Sequence, residues 1–277
     1  MMIPFVNRFT CLPKQLPRFI NKLKSSNYRP ILDYANENKN DFQRNFIEMD
    51  RLISNHENTT IALKLSSLNV ENDYDYALFC ANRLIDKAIK QNSKVLIDAE
   101  DYIIQDKISD ISNIMLSRYN KSDINVYKTY QMYRKDALDE LKHDMQKRTY
   151  LLGCKLVRGA YYNQDYKYDI LYDTIDETHS SYNDGIRHFI DNCKTHDTLL
   201  CATHNEESIY LSDSLDKNGN VEYAQLMGMR DKLSKKLSDE NKVVYKYLPY
   251  GHLNETLPYL VRRLYENYPM ILNIFNG

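Results

Sequence analysis

The fold class predicted by the sequence is a single (βα)8 barrel of the TIM type, and three observations predict it. The length, 277 residues, is close to the ~250 that such a barrel takes. Eight short β-rich apolar runs recur along the chain, and stretches with helical spacing separate them. Unbroken apolar runs are what parallel strands covered from outside require.

The runs are Pro30–Tyr34, Thr60–Leu65, Lys94–Asp98, Ile124–Tyr127, Leu152–Val157, Thr198–Ala202, Val221–Gln225 and Val243–Tyr247. Between the first two, Phe42, Phe46, Met49, Leu52 and Ile53 repeat every three or four residues. Ala77, Cys80, Leu84, Ile85 and Ala88 do the same between the second and third. Each set makes one apolar stripe on a helix, the face an outer helix lays on a barrel. The gap from Val157 to Thr198 is the longest and predicts extra loop structure. Residues 1–28 read as a basic N-terminal helical segment, with Leu16, Phe19, Ile20 and Leu23 on one side. Residues 29–277 read as one barrel, without a linker or second domain.

After the eighth run comes Pro249-Tyr250-Gly251 and then a last helix around Tyr259–Asn267. It carries Arg262 and Arg263, with Glu266 four and three residues on. Guanidinium groups grip a carboxylate at two points, and a glutamate at this spacing can orient them. The same pattern also suits a solvated helix face.

Composition narrows the function. A net charge of −1 implies no general attraction to nucleic acid or anionic lipid. No apolar run approaches the ~20 residues that cross a bilayer. With seven glycines and neither GxGxxG nor GxxxxGK[ST], a phosphate cofactor must be held without a glycine-rich loop. The histidines show no HExxH or similar spacing, so no metal site is expected. Five scattered cysteines, Cys11, Cys80, Cys154, Cys193 and Cys201, read as reduced core thiols of an intracellular protein. The first 32 residues hold no acid but carry Arg8, Lys14, Arg18, Lys22, Lys24 and Arg29. They read either as a mitochondrial targeting segment or as a basic amphipathic helix.

Barrel chemistry gathers at the C-terminal ends of the strands. In order, those ends present Glu37, Lys64, Asp98, Gln131, Arg158, His204, Gln225 and Tyr247. Eight polar or ionisable groups at one end predict an active-site mouth. Its mixed charge suits a small anionic or zwitterionic ligand. Lys64 or Arg158 buried there needs a ligand or an ion-pair partner. Asp98 either faces the mouth or caps a helix starting at Ala99. His204 is either a ligand contact or a satisfied core histidine. No general base stands out, which fits a reaction whose hard step belongs to a cofactor.

The stretch Lys155-Leu156-Val157-Arg158-Gly159-Ala160-Tyr161-Tyr162 resembles the fifth-strand signature of proline dehydrogenases. The resemblance continues, in order, at Ile31–Tyr34, Leu63–Leu68, Leu96–Glu100, Thr129–Tyr133, Ala202–Asn205, Gln225–Met229 and the last helix. It implies a distorted barrel with that helix lying over the C-terminal mouth. It also implies FAD-dependent oxidation of L-proline to Δ1-pyrroline-5-carboxylate, with hydride passing to flavin N5 and electrons to a quinone. By resemblance, Arg262, Arg263 and Lys64 would meet the proline carboxylate, with Glu266 pairing the arginines. Tyr161, Met227 and Tyr259 would pack the pyrrolidine ring, or serve as ordinary core; Asp98 and Tyr247 would complete the pocket. Arg158 would lie against flavin N5, Gln131 at the pyrimidine edge, and His204 and Gln225 near the ribityl chain. Gly159, Ala160 and Tyr162 would border the cofactor, and Glu37 would help order the site. Mitochondrial location, if the source is eukaryotic (cytoplasmic otherwise), and a peripheral membrane contact go with the same resemblance.

The chain departs from the family in one place that matters. Where bacterial relatives have basic residues for the FAD phosphates, it has Asp173-Thr174-Ile175-Asp176-Glu177-Thr178, and only Thr174 carries over. Tyr162 and Asp165 are conservative changes. Two alternatives stay open: a barrel of this family that has lost FAD and acts as a binding protein, and another flavin barrel such as a methylenetetrahydrofolate reductase relative. By the same resemblance, Tyr247 stands where hydroxyproline-preferring members have a smaller residue and would fill the space of a ring hydroxyl, which implies proline as substrate.

Overall fold

The computed structural model describes residues 8–35, 41–252 and 255–256. Eight strands form one closed parallel barrel in sequence order. They are β1 Arg29–Tyr34, β2 Thr60–Leu63, β3 Lys94–Ile97, β4 Val126–Gln131, β5 Gly153–Val157, β6 Thr198–Ala202, β7 Val221–Leu226 and β8 Val244–Tyr250. Closure is made by β1 on β8, paired from Arg29↔Tyr245 to Tyr34↔Tyr250.

Nine α-helices are described: α1 Leu16–Ser25, α2 Phe42–Asn55, α3 Tyr74–Lys90, α4 Tyr102–Tyr119, α5 Ala137–Lys147, the single turn α6 Tyr162–Asp165, α7 Ile175–Asn192, α8 Glu206–Leu215 and α9 Asp231–Asp239. α2 and α3 bury the stripes read from the sequence, Met49, Leu52 and Ile53 on one and Ala77 to Ala88 on the other. Both start on an aspartate N-cap, Asp41 and Asp73, whose carboxylate accepts a backbone N–H three residues on. The long gap after β5 holds α6, a 3-10 turn at Tyr166–Tyr168, and α7.

Strand residues alternate sides, so the core has two parts. Ile31, Ala62, Leu96, Tyr127, Leu200, Ala224, Tyr245 and Tyr247 fill the barrel interior. Their neighbours, among them Leu32, Ile61, Ile97, Cys154, Leu156, Cys201 and Tyr223, pack against the helices. Four of the five cysteines are buried, Cys193 is half-buried, and all are free thiols.

Three strands end two or more residues away from expectation, each for a physical reason. β4 runs on to Gln131 through Lys128, which looks too polar for a core strand. It is buried because its ammonium meets Asp144 at 2.5 Å and Glu140 at 2.9 Å. β2 stops at Leu63 because Leu65–Leu68 turns into a 3-10 helix. β8 continues through Pro249, whose carbonyl accepts the Cys11 N–H at 3.1 Å, while Gly251 N–H returns to Cys11 at 3.2 Å.

Residues 8–28 are built into the barrel. Residues 8–12 cross the mouth-side ends of β7 and β8: Arg8 Nε donates to the Gly228 carbonyl just past β7 at 3.1 Å, and Cys11 bridges to Tyr250 of β8. α1 then buries Leu16 and Ile20 against the strands. Just past it Asn27 reaches Ser238 of α9 at 3.4 Å. On the other side Lys24 lies near enough to His56 to lower its pKa, after burial. α1 therefore fills the outer ring between α9 and α2. Among the described residues no helix is long and apolar enough to cross a membrane.

Candidate active site

The mouth is organised by ion pairs between neighbouring strand ends. Lys64, just past β2, pairs with Asp33 of β1, a buried carboxylate. Asp98, just past β3, accepts from Lys155 of β5 at 2.6 Å and from the Tyr247 hydroxyl of β8 at 3.2 Å. Lys155 also donates to the Tyr247 hydroxyl and sits 4.8 Å from its ring centroid. Two carboxylates and two ammonium groups thus sit just inside the C-terminal end of the barrel. Each buried charge has an opposite partner, without which burial costs several kcal/mol. Asp98 is no helix cap: α4 starts at Tyr102, after Asp101.

A second set of contacts fixes the loops above. Glu100 is buried and accepts from both the backbone N–H of Ser66, at 2.8 Å, and its hydroxyl. Its own carbonyl accepts from Gln131 Nε2 at 2.7 Å. That bond commits the amino group of the Gln131 amide and keeps the carbonyl oxygen as the acceptor a ligand N–H needs. The buried Asp165 accepts from Tyr102 N–H at 2.9 Å and from the Tyr133 hydroxyl at 2.6 Å, tying the loops after β3, β4 and β5 together. Gly159 has φ of +145°, and a Cβ there would come within 2.5 Å of the Tyr133 ring. Only glycine combines that backbone with so close an approach.

The expected site residues divide by the side of the strand they occupy. Lys64, Asp98, Gln131 and Tyr247 face the mouth together. Arg158 and Gln225 do not, because they stand one residue out of phase with the inward positions. Arg158 turns to the helix layer. Its Nε donates to His179 Nδ1 at 2.8 Å, Nη1 to Thr203 Oγ1 at 2.7 Å and Nη2 to Ser208 Oγ at 3.0 Å. It lies 4.4 Å from the Tyr182 ring centroid. All three acceptors are neutral, and burial pulls the guanidinium below its ordinary pKa. Gln225 is held by Ser234 of α9 and by the Thr203 carbonyl at 3.5 Å. Met227 likewise packs in the helix-side core. The expected roles of Arg158 at flavin N5 and of Met227 against the substrate ring therefore draw no support from these contacts.

His204 is half-buried and accepts from Leu226 N–H at 3.4 Å. Tyr161 is buried at the start of α6, whereas Tyr162 is exposed beside Tyr166, with ring centroids 5.5 Å apart. Ala160 is half-buried between them and Gly159. Thr174 is the N-cap of α7 in a reciprocal box with Glu177: it accepts Glu177 N–H at 3.2 Å, and its own N–H goes to that carboxylate at 2.9 Å. Its polar groups cap the helix. Glu37, Tyr259, Arg262, Arg263 and Glu266 lie outside the described residues. Asp33, Lys155, Glu100 and His179 carried no expected role. For Asp33 the signal was available, since a charge two residues from inward-facing Ile31 must be paired; Lys155 aligns with inward-facing Leu200 only through the β5–β6 register. Among the described residues no group of three His, Cys, Asp or Glu side chains could hold a metal ion.

Fold and site together define a parallel (βα)8 barrel with a charge-paired C-terminal mouth. The chain belongs to the proline dehydrogenase family, whose model matches residues 17–270. It is 35% identical over 195 residues to proline dehydrogenase 1, mitochondrial, of Dictyostelium discoideum, covering 62% of this chain and 34% of that protein. It is 33% identical over 214 residues to hydroxyproline dehydrogenase of Xenopus laevis, covering 70% and 46%. Proline utilization A of Bdellovibrio bacteriovorus, in a form inactivated by N-propargylglycine, shares the fold with a TM-score of 0.83 at 16% identity, over 96% of this chain and 33% of that one. The chain thus spans less than half the length of these relatives.

Proposed function

We propose that this barrel oxidises L-proline to Δ1-pyrroline-5-carboxylate with FAD, and that the electrons leave to a quinone. The observation that carries the reading is the pair of interlocked charge sets at the mouth, Asp33–Lys64 and Asp98–Lys155–Tyr247. Lys64, steered by Asp33, offers positive charge to the substrate carboxylate, and Arg262 and Arg263 of the last helix would complete the grip. Tyr247, pinned by both Lys155 and Asp98, forms a wall that cannot swing aside. A ring hydroxyl on the substrate would meet it, so proline is preferred to hydroxyproline. Glu266 would pair the arginines, and Tyr161 and Tyr259 would shield the ring from water.

The residues present fit the ring end of FAD. Gln131 keeps an amide acceptor for an imide N–H, and the Gly159–Ala160 backbone allows close approach. FAD, when bound, supplies the hydride acceptor that no side chain of this mouth provides. The phosphate end is different: Thr174 is spent on its helix cap, among exposed Asp173, Asp176 and Glu177. That observation favours a second reading, a family barrel that binds without turning over. Mitochondrial location follows the names of the relatives; the quinone and any membrane contact follow the family resemblance.

The test is spectroscopic. Purified chain supplied with FAD should be yellow, and anaerobic proline should bleach it. A folded chain that stays colourless supports the second reading, and a yellow one bleached by hydroxyproline but not by proline reverses the substrate assignment.

A further inference from the structure

His179 was given no role by the sequence, yet it holds the guanidinium that anchors the loop after β5. Arginine cannot accept a hydrogen bond, so the 2.8 Å contact from Arg158 Nε to His179 Nδ1 requires that nitrogen to be bare. The ring is therefore neutral, with its proton on Nε2. Arg158 in turn spans four elements. Its backbone carbonyl accepts Tyr133 N–H at 2.7 Å at the end of β4. Its side chain reaches Thr203 past β6, His179 on α7 and Ser208 on α8; Ser208 also donates to Asn183 Oδ1 of α7 at 2.7 Å. Gly159, Ala160 and Tyr161 follow immediately.

We infer that His179 is a positioning residue: in its neutral form it fixes Arg158, and through Arg158 the Gly159–Tyr161 segment that borders the ligand. The ligand side of this inference rests on the function proposed above. Protonating Nδ1 would set an N–H against an N–H and one cation against another, so Arg158 must let go. The charged groups acting on His179 are Arg158 from the end of β5, Asp176 on its own helix and Glu207 on α8. Burial first, and Arg158 next, lower its pKa below the ordinary value of 6.5, against the two carboxylates. Release therefore belongs to the acid side of neutrality.

Two measurements on the full chain test this, one needing no cofactor. In the apoprotein, ring nitrogen NMR of His179 should show the Nε2–H tautomer with a midpoint below the ordinary histidine range. Arg158→Met should raise that midpoint and free the tautomer. In the FAD-loaded protein, the affinities for FAD and proline should weaken about tenfold in one acid-side step, the size expected for losing one charge-assisted hydrogen bond. His179→Gln, which keeps an acceptor and cannot titrate, should remove the step and stay tight at every pH. His179→Leu should remove the step and stay weak throughout. An Nδ1–H tautomer, or an acid step that persists unchanged in His179→Gln, overturns the inference. If the chain takes up no FAD the proposed function fails, and the NMR titration still decides the role of His179.

Discussion

At the scale of single residues, the mouth is made of charges that need one another. Lys155 and Asp98 are mostly buried, at 6% and 14% side-chain exposure. Removing Lys155 leaves a carboxylate without its cation, so Lys155→Met should lower unfolding free energy by about 3 kcal/mol in a denaturant titration. Lys64 is different: it also faces the substrate in the proposed reaction. Lys64→Met should raise the proline KM tenfold or more with a smaller change in kcat, as loss of substrate binding does. Equal effects of both variants on KM would contradict the division between a steering lysine and a supporting one. Arg148 and Asp197 show the same need for pairing away from the site. They meet at 2.5 Å with no exposure at all, and Asp197 also takes the N–H groups of Leu152 and Lys194.

At the scale of elements, period decided what the sequence revealed. Unbroken apolar runs located all eight strands, and three- and four-residue spacing located α2 and α3. Polar residues hid what they were paired with: Lys128 concealed most of β4 because Asp144 and Glu140 come from a helix that the run does not contain. The inward placement of Lys64, Asp98, Gln131 and Tyr247 was legible from strand phase, while their roles rest on the family resemblance. Arg158, Gln225 and Met227 stand one residue out of phase and pack on the helix side, so their proposed ligand roles rest on the motif match alone. Thr174 had a second signal in the sequence, since a threonine three residues before a glutamate also marks a helix start. Thr174→Ala should therefore cost about 1 kcal/mol of stability and leave FAD affinity unchanged. A large fall in FAD affinity with unaltered stability would restore the phosphate role.

At the scale of the whole molecule, the barrel is closed by β1 on β8 and strapped by residues 8–12, whose Cys11 is sealed beneath. Burial raises the Cys11 and Cys201 thiols to about 12, from an ordinary 9.0. Tyr34 and Tyr150 are likewise raised to about 12, chiefly by burial. In each case the folded pKa exceeds the unfolded one, so the native state keeps protons that the unfolded chain has lost. Stability from this source is complete below about pH 9 and falls as pH rises towards 12. Thermal melting followed from pH 7 to 11 should show Tm declining on the alkaline side, with thiol reagents reaching Cys201 only as the fold opens. A flat Tm would contradict the burial of these groups.

The central claim is that the paired charges at the mouth serve the oxidation of proline. It is tested most directly by adding L-proline, without oxygen, to the FAD-loaded chain while recording the visible flavin spectrum. Bleaching is expected with proline, with weaker or no bleaching by hydroxyproline and a higher proline requirement in Lys64→Met. A folded, yellow protein whose spectrum does not change with proline would contradict it.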